Sequence, residues 1–392
     1  MPANPSSGLF ALLFAKNTSG VRGQRPRLPV GPVGSPLMAL AVLALLASPS
    51  PLAAQSFEKI AADLEEPWAL AFLPDGSFLV TERDGALLRF GAGGGAALGR
   101  VSGLPRVAAL GQGGLLDVMI PRSFTTTRRV WLSYAAPVGD GLGTAAGFGR
   151  LSEDGERLEG FSPVMTPLPR PGGRHFGSRL VEASDGTVYL TTGDRGSAPL
   201  EQDPTRPEGK VLAFTADGAP KTHAAFAEIP GVFPGLHSIG HRNIQGAALD
   251  ANGQLWTVEH GARGGDELNL IEGGRNHGWP LISYGTDYDG SKIGQGSAAP
   301  GLEQPVTYWV PSIAPSGLAV HSGKTYPDWA GQMFTGSLNS GFLSKLDPAS
   351  GFAETRIEAD ETGRVRDVTE GPDGRIWFLS VLDGAVYALS PD

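Results

Sequence analysis

One phrase returns four times in this chain: an Asp-Gly or Asn-Gly pair, then a short run rich in β-branched and aromatic residues. It reads LPDGSFLVTE (73–82), ASDGTVYLTTG (183–193), DANGQLWTVEHG (250–261) and GPDGRIWFLSV (371–381). Asp-Gly and Asn-Gly suit tight hairpins because both residues tolerate positive φ. A second hairpin phrase follows the first and last copies, DGALLRF (84–90) and DGAVYALS (383–390). No helical period is sustained over a dozen residues, so each run reads as a strand. Imperfect strand-turn-strand repetition over most of a chain means a propeller or a solenoid. Dividing residues 55–392 by the 40–50 residues usual for a blade gives roughly six to eight blades. A propeller hides its sheet edges by radial packing and leaves a central channel, whose mouth loops are the natural place for chemistry. With no linker in 55–392, the reading is all-β and a single β-propeller domain.

Composition excludes several kinds of function. The absence of cysteine rules out disulfides, thiol catalysis and zinc-cysteine sites. A formal charge of -9 argues against a nucleic-acid partner, whose phosphates need a basic face. Residues 1–36 are rich in Pro, Gly, Ser and Arg and precede LMALAVLALLASPSPLAA (37–54). That apolar core is too short for a comfortable membrane span. With Arg22, Arg25 and Arg27 before it and small residues after it, it reads as a secretory signal cleaved after Ala54. Translation from Met38 would account for the length ahead of it. The mature protein is therefore expected in the periplasm or outside the cell, with no membrane span.

Four segments carry candidate chemistry. GGRHFGSRL (172–180) places His175 in a glycine-rich loop before a strand, and Asp194 follows in TTGDRG (191–196). A carboxylate beside an imidazole fixes its tautomer and raises its basicity, as a general base requires. GHRNIQG (240–246) sets Arg242 beside Asn243, donors that can polarise a carbonyl or hold an anion. EHGARGGDELN (259–269) lacks both the Lys-Ser/Thr ending of a phosphate loop and the spacing of an EF-hand. Its glycines would instead let carbonyls turn inward toward a hard cation. GRVRDV (363–368) alternates Arg364 and Arg366, which would share one face of a strand and suit a fixed anion. Taken singly, each segment has a plainer explanation: a surface histidine, an arginine tying loops together, an irregular turn, a solvated face.

Taken in order, these segments resemble the soluble quinoprotein glucose and aldose sugar dehydrogenases, which use pyrroloquinoline quinone (PQQ). The resemblance also rests on PWALAFLPDG (67–76), GQGGLLDV (111–118), NHGWP (276–280) and PSIAPSG (311–317), and it spans nearly all of 55–392. It implies a six-bladed β-propeller that oxidises an aldose mono- or oligosaccharide and passes electrons to an acceptor the sequence does not identify. It implies that His175 takes the proton from the anomeric hydroxyl and that Asp194 orients it. Arg242, Asn243 and Ca²⁺ would polarise the PQQ carbonyl, and Gln112 and Arg242 would border substrate and cofactor. Gly261 and Ala262 would give backbone carbonyls to that Ca²⁺, with Arg263 and Asp266 as supporting groups. Arg364 and Arg366 would pair with PQQ carboxylates. Glu267, with carbonyls near His277 and Ser283, would form a second, structural Ca²⁺ site. Two positions depart from the family pattern: Asn339 in FTGSLNSGF (334–342) replaces a lysine that contacts PQQ, and Ala262 replaces a common proline. Lys345 lies near the first of these. The competing readings are a Ca²⁺-dependent propeller sugar lactonase and a propeller that only binds a ligand.

Overall fold

The computed structural model describes residues 55–391 apart from 197 and 198. The leader and its cleavage point lie outside the described residues. Six four-stranded antiparallel sheets succeed one another along the chain. The first comprises Pro67–Phe72, Phe78–Glu82, Leu87–Phe90 and Gly99–Arg100. The second comprises Leu115–Met119, Arg129–Val138, Gly141–Leu151 and Leu158–Pro163. The third comprises Gly177–Glu182, Val188–Thr192, Lys210–Phe214 and Leu236–Ile239. The fourth comprises Ile244–Leu249, Leu255–Glu259, Asp266–Ile271 and Thr307–Trp309. The fifth comprises Pro315–Val320, Met333–Ser337, Phe342–Asp347 and Ala353–Glu358. The sixth has Val365–Glu370, Ile376–Ser380 and Ala385–Pro391, and takes its outer strand, Gln55–Ala61, from the start of the described chain. The first strand of each sheet abuts the first strands of both neighbours, which closes a six-bladed propeller.

Each blade interface has its own apolar cluster. Phe78 and Phe90 of the first blade stack at 4.9 Å and meet Trp377 of the sixth. Trp131 of the second packs with Leu190 and Phe214 of the third. Each such side chain contributes about 1.5–3 kcal/mol by leaving water. The interface between the third and fourth blades has the smallest cluster, centred on Val211, Ile244, Leu255 and Ile271. Beside it lie rings with a polar edge: Tyr189 against His237, and His241 stacked on His277 at 4.5 Å. Among the described residues, no helix is long and apolar enough to cross a membrane.

A single irregularity recurs in all six blades and decides what fills the channel. Pairing of the innermost strand with the second slips near its start, between Pro67/Ala69, Leu115/Val118, Gly177/Leu180, Ile244/Gly246, Ser316/Ala319 and Val365/Asp367. A bulge re-aims the unpaired residue. Here the slips take in Trp68, Asp117, Arg179, Gln245, Gly317 and Arg366, one from each blade. The freed backbone groups are not orphaned. The N–H of Asp117 donates to Ser133 Oγ at 3.0 Å and that of Arg179 to Thr191 Oγ1 at 2.9 Å. In the first blade Thr81 Oγ1 likewise accepts the Ala69 N–H at 3.0 Å, so the Ser or Thr of the second strand serves the bulge in these three blades. Glycine is required at 317, where φ is +62° and a Cβ would lie 2.3 Å from the Val368 nitrogen.

Arg179 joins these residues. Its guanidinium pairs with Asp367 at 2.8 Å and Asp117 at 3.5 Å, and donates to the carbonyls of Gln245 (2.7 Å) and Arg366 (3.1 Å). It also lies 4.3 Å over the Trp68 ring. Burial, relieved in part by Arg179, pushes the Asp117 carboxyl up to about 7.

Candidate active site

Loops that precede the innermost strands and loops that follow the second strands open at the same channel mouth, because the two strands are antiparallel. Gln112, His175, Arg242, Gly261, Ala262 and Asn339 come from such loops and line one cavity of about 590 Å³. Gln112 also lines an adjoining cavity of about 150 Å³ with Trp68, Arg364 and Arg366. Residues from all six blades thus meet at one mouth.

His175 sits at φ +53°, held there by the Gln112 side chain, whose Oε1 accepts its N–H at 2.7 Å. Its Nδ1 lies 2.6 Å from Asp194 Oδ1. An ionised carboxylate only accepts, so Nδ1 carries the proton and Nε2 is left as the free base. Burial lowers the imidazole pKa, with Arg242 adding to the effect, and together these outweigh Asp194. The ring is therefore neutral at pH 7. Burial acts to raise the Asp194 pKa, but its bonds from His175 and Gly196 and the charge of Arg242 outweigh that and hold it low.

The cations surround this base. The Arg242 backbone N–H is fixed by Glu259 Oε2 at 2.7 Å, and its guanidinium donates to the His260 carbonyl (3.1 Å) and Tyr288 hydroxyl (3.3 Å). Asn243 turns Oδ1 away, accepting from the Gly177 N–H at 3.1 Å. Arg366 donates to Gln245 Oε1 at 2.6 Å, yet its Nε is buried with no partner among the described residues. Burial, with Arg179 and Arg364 nearby, pushes its pKa down to about 9, which still leaves it charged at pH 7. His260 is neutral: burial and then Arg366 push it down to about 3, and Nε2 donates to the Pro315 carbonyl at 2.9 Å. Arg242 in the larger cavity and Arg364 and Arg366 in the adjoining one suit the mouth to an anion.

The glycine-rich loop is held from beneath by Asp266, which is fully buried. One oxygen accepts the Gly261 N–H at 2.8 Å; the other accepts Ser312 Oγ at 2.7 Å and the N–H groups of Ile313 and Ala314, each at 2.8 Å. A side chain at 261 would not fit, since its Cβ would lie 2.2 Å from the Gly264 carbonyl oxygen. Neither the Gly261 nor the Ala262 carbonyl accepts a backbone bond among the loop contacts of the described residues. Free carbonyls on a rigid loop suit a hard cation.

The family model for glucose/sorbosone dehydrogenases matches residues 64–388. The chain belongs to this family. An aldose sugar dehydrogenase of Escherichia coli (YliI) is 39% identical over 337 residues, covering 84% of this chain and 91% of that one. The crystal structure of the soluble Escherichia coli aldose sugar dehydrogenase in its apo-form covers 86% of this chain and all of that one, with TM-score 0.81 and 38% identity. The PQQ-bound aldose sugar dehydrogenase of Streptomyces coelicolor covers 87% of this chain and 100% of that one, with TM-score 0.69 and 26% identity.

Within this glucose/sorbosone dehydrogenase framework, one sequence expectation needs correcting. Arg364 and Arg366 do not share a face by strand alternation. Arg364 precedes the strand at φ +52°, and Arg366 sits in the bulge after Val365. They reach the same cavity because both are displaced from the regular pleat. Lys345 does not substitute for the missing lysine. It lies 5.7 Å over the Trp329 ring, while Asn339 donates to the Ser312 carbonyl at 3.2 Å beside the main cavity. Arg263 is exposed and contributes through its backbone, pairing with Thr286 at 2.9 Å.

Glu267, His277 and Ser283 line neither of the two cavities. Burial and Glu259 push Glu267 up to about 8, and its carboxylate accepts from Asn269 at 3.1 Å. The His277 ring packs on His241 with both nitrogens unpartnered, and Ser283 Oγ accepts the Gly285 N–H at 3.1 Å. Among the described residues, no group of three or more His, Cys, Asp or Glu side chains is placed to hold a metal. Sequence reasoning missed Trp279, Tyr288, Glu259 and Gln245. Trp279 stood inside the quoted NHGWP, but nothing in the sequence shows which carboxylate its indole reaches.

Proposed function

We propose that this protein is a periplasmic or secreted PQQ-dependent dehydrogenase that oxidises aldose mono- or oligosaccharides at the anomeric carbon to the lactone. The observation that carries the reading is the His175–Asp194 pair at 2.6 Å, its free Nε2 beside a cavity lined by Arg242. The names of its relatives support the substrate class and, for the Streptomyces coelicolor protein, the cofactor. PQQ is a tricarboxylate, and Arg364, Arg366 with its unpartnered Nε, and Arg242 are the cations that would hold it. The Gly261 and Ala262 carbonyls would hold Ca²⁺.

When bound, PQQ supplies a quinone that accepts hydride, and Ca²⁺ supplies a Lewis acid. The chain supplies the rest. His175 Nε2 takes the proton of the anomeric hydroxyl as C1 becomes a carbonyl carbon. Asp194 stabilises the imidazolium that forms. Arg242 and Asn243 place donors where negative charge develops. The lactonase reading needs carboxylates free at the channel centre, whereas Asp117 and Asp367 are both bound to Arg179.

Reconstitution tests the proposal. Protein beginning at Gln55, stripped with EDTA, is expected to reduce dye with an aldose only after both PQQ and Ca²⁺ are returned. Lactone hydrolysis in place of dye reduction would overturn it. The departure at Asn339 has its own expected result. Asn339→Lys adds a cation at the cavity and should tighten PQQ binding about tenfold, as a charge-assisted bond allows. Fluorescence titration reads it, and an unchanged Kd would mean position 339 does not reach the cofactor.

A further inference from the structure

We infer that Trp279 is a positioning residue that locks the His175–Asp194 pair and Arg242 into one frame. The inference rests on the base assignment proposed above. Its warrant is the bonding of Asp194, which is buried to within 2% of full burial. Oδ1 is occupied by His175 Nδ1 and the Gly196 N–H, both at 2.6 Å. Oδ2 receives the indole Nε1–H of Trp279 at 3.0 Å. That indole can only donate, so it favours the ionised carboxylate and fixes its rotation. With the carboxylate fixed, Oδ1 stays aligned with Nδ1 and Nε2 stays aimed at the cavity.

The tryptophan is itself anchored at both ends of its backbone unit. Its N–H donates to the Gly240 carbonyl at 2.9 Å, and its own carbonyl accepts Gln202 Nε2 at 2.7 Å. Gln202 is tied in turn to Asn276, whose Nδ2 donates to its Oε1 at 2.7 Å. The face of the indole ring lies 5.2 Å from the Arg242 guanidinium. One side chain thus sets both the base and the cation that faces the developing charge. Other titratable and charged groups also bear on the pair. Arg242, Arg174 and His260 face His175, while Arg195 and Glu201 face Asp194. Trp279 differs from them in bonding the carboxylate directly without contributing charge.

The test is Trp279→Phe in the mature protein. Phenylalanine keeps an aromatic ring near Arg242 and removes the N–H together with part of the indole's volume. In the apo-protein, long-range ¹H–¹⁵N NMR should show wild-type His175 as a single Nδ1–H tautomer. The variant should show mixed tautomers and a lowered His175 midpoint, because a carboxylate free to rotate loses its alignment with Nδ1–H, the bond that raises the imidazole pKa. In the loaded enzyme kcat/KM should fall about tenfold, as loss of a supporting bond does elsewhere, while PQQ affinity holds within twofold. A wild-type tautomer and midpoint would overturn the inference, as would a loss of activity that follows PQQ affinity or Tm. If the variant does not fold, 3-benzothienylalanine at 279 replaces N–H by sulfur at nearly constant shape and gives the same readouts. Because the NMR measurement needs neither cofactor nor sugar, a failure of the base assignment would be seen separately, as turnover without His175.

Discussion

Replacing His175 by asparagine is expected to remove sugar-dependent dye reduction, lowering kcat/KM by roughly 10²–10⁴-fold, the range a positioned general base supplies. Asparagine suits the test because it tolerates the positive φ at this position, so backbone strain is not added to the loss of the base. PQQ binding should be nearly unchanged, since the arginines that would hold it come from other blades. Wild-type turnover by the variant would dismiss His175 as the base. The pH profile offers a second check. Burial lowers the imidazole pKa from its ordinary 6.5, so the base is free at pH 7. The acid limb of kcat/KM should therefore fall below pH 6.5, where protonation removes the acceptor.

The second large effect concerns stability. Arg179→Met should destabilise the ring by about 3–5 kcal/mol, the usual cost of removing one partner of a buried ion pair. That corresponds to a drop in Tm of about 10 °C. Asp117 and Asp367 would then face each other across the channel without their cation. Both carboxyls already have folded pKa values raised above the ordinary range, Asp117 to about 7. Without the arginine they rise further, so the folded state binds more protons than the unfolded one. The deficit should consequently shrink as pH falls and grow as it rises. A loss of Tm independent of pH would point to lost packing on Trp68 instead of exposed charge.

Much of the architecture was legible because it is local. Asp-Gly and Asn-Gly turns before β-rich runs mark the second strands of the first, third, fourth and sixth blades. The other two were hidden because they enter that strand differently, through a short helix at Phe124–Thr127 and a 3₁₀ turn at Pro327–Trp329. The repeat alone therefore left the blade number between six and eight, and the family resemblance settled on six. Most of the mouth residues were legible too, since their loops adjoin recognisable strands. The bulges were not. An offset of one residue in pairing leaves no mark in the alternation of side chains, yet it moves Arg366 off the regular face and sends Arg179 into the channel. The reach of Trp279 to Asp194, 85 residues apart in sequence, depends on how two blades meet.

The pairing of Gln55–Ala61 with Ala385–Pro391 makes the mouth of the candidate site depend on the last strand of the sixth blade. Joining the ends of so long a loop is entropically modest, since each doubling of length adds only about 0.6 kcal/mol. Timing is the stronger constraint, because the first strand must wait for the last to be made. Until then the first and sixth blades need not abut, and the arginines at 364 and 366 have no fixed relation to Gln112. A nascent or truncated chain would hold His175 and Asp194 within one blade but lack the far wall of the cavity. Closure of the ring thus couples the two walls of the mouth: the groups of the first and sixth blades face the rest only once the last strand has paired with Gln55–Ala61.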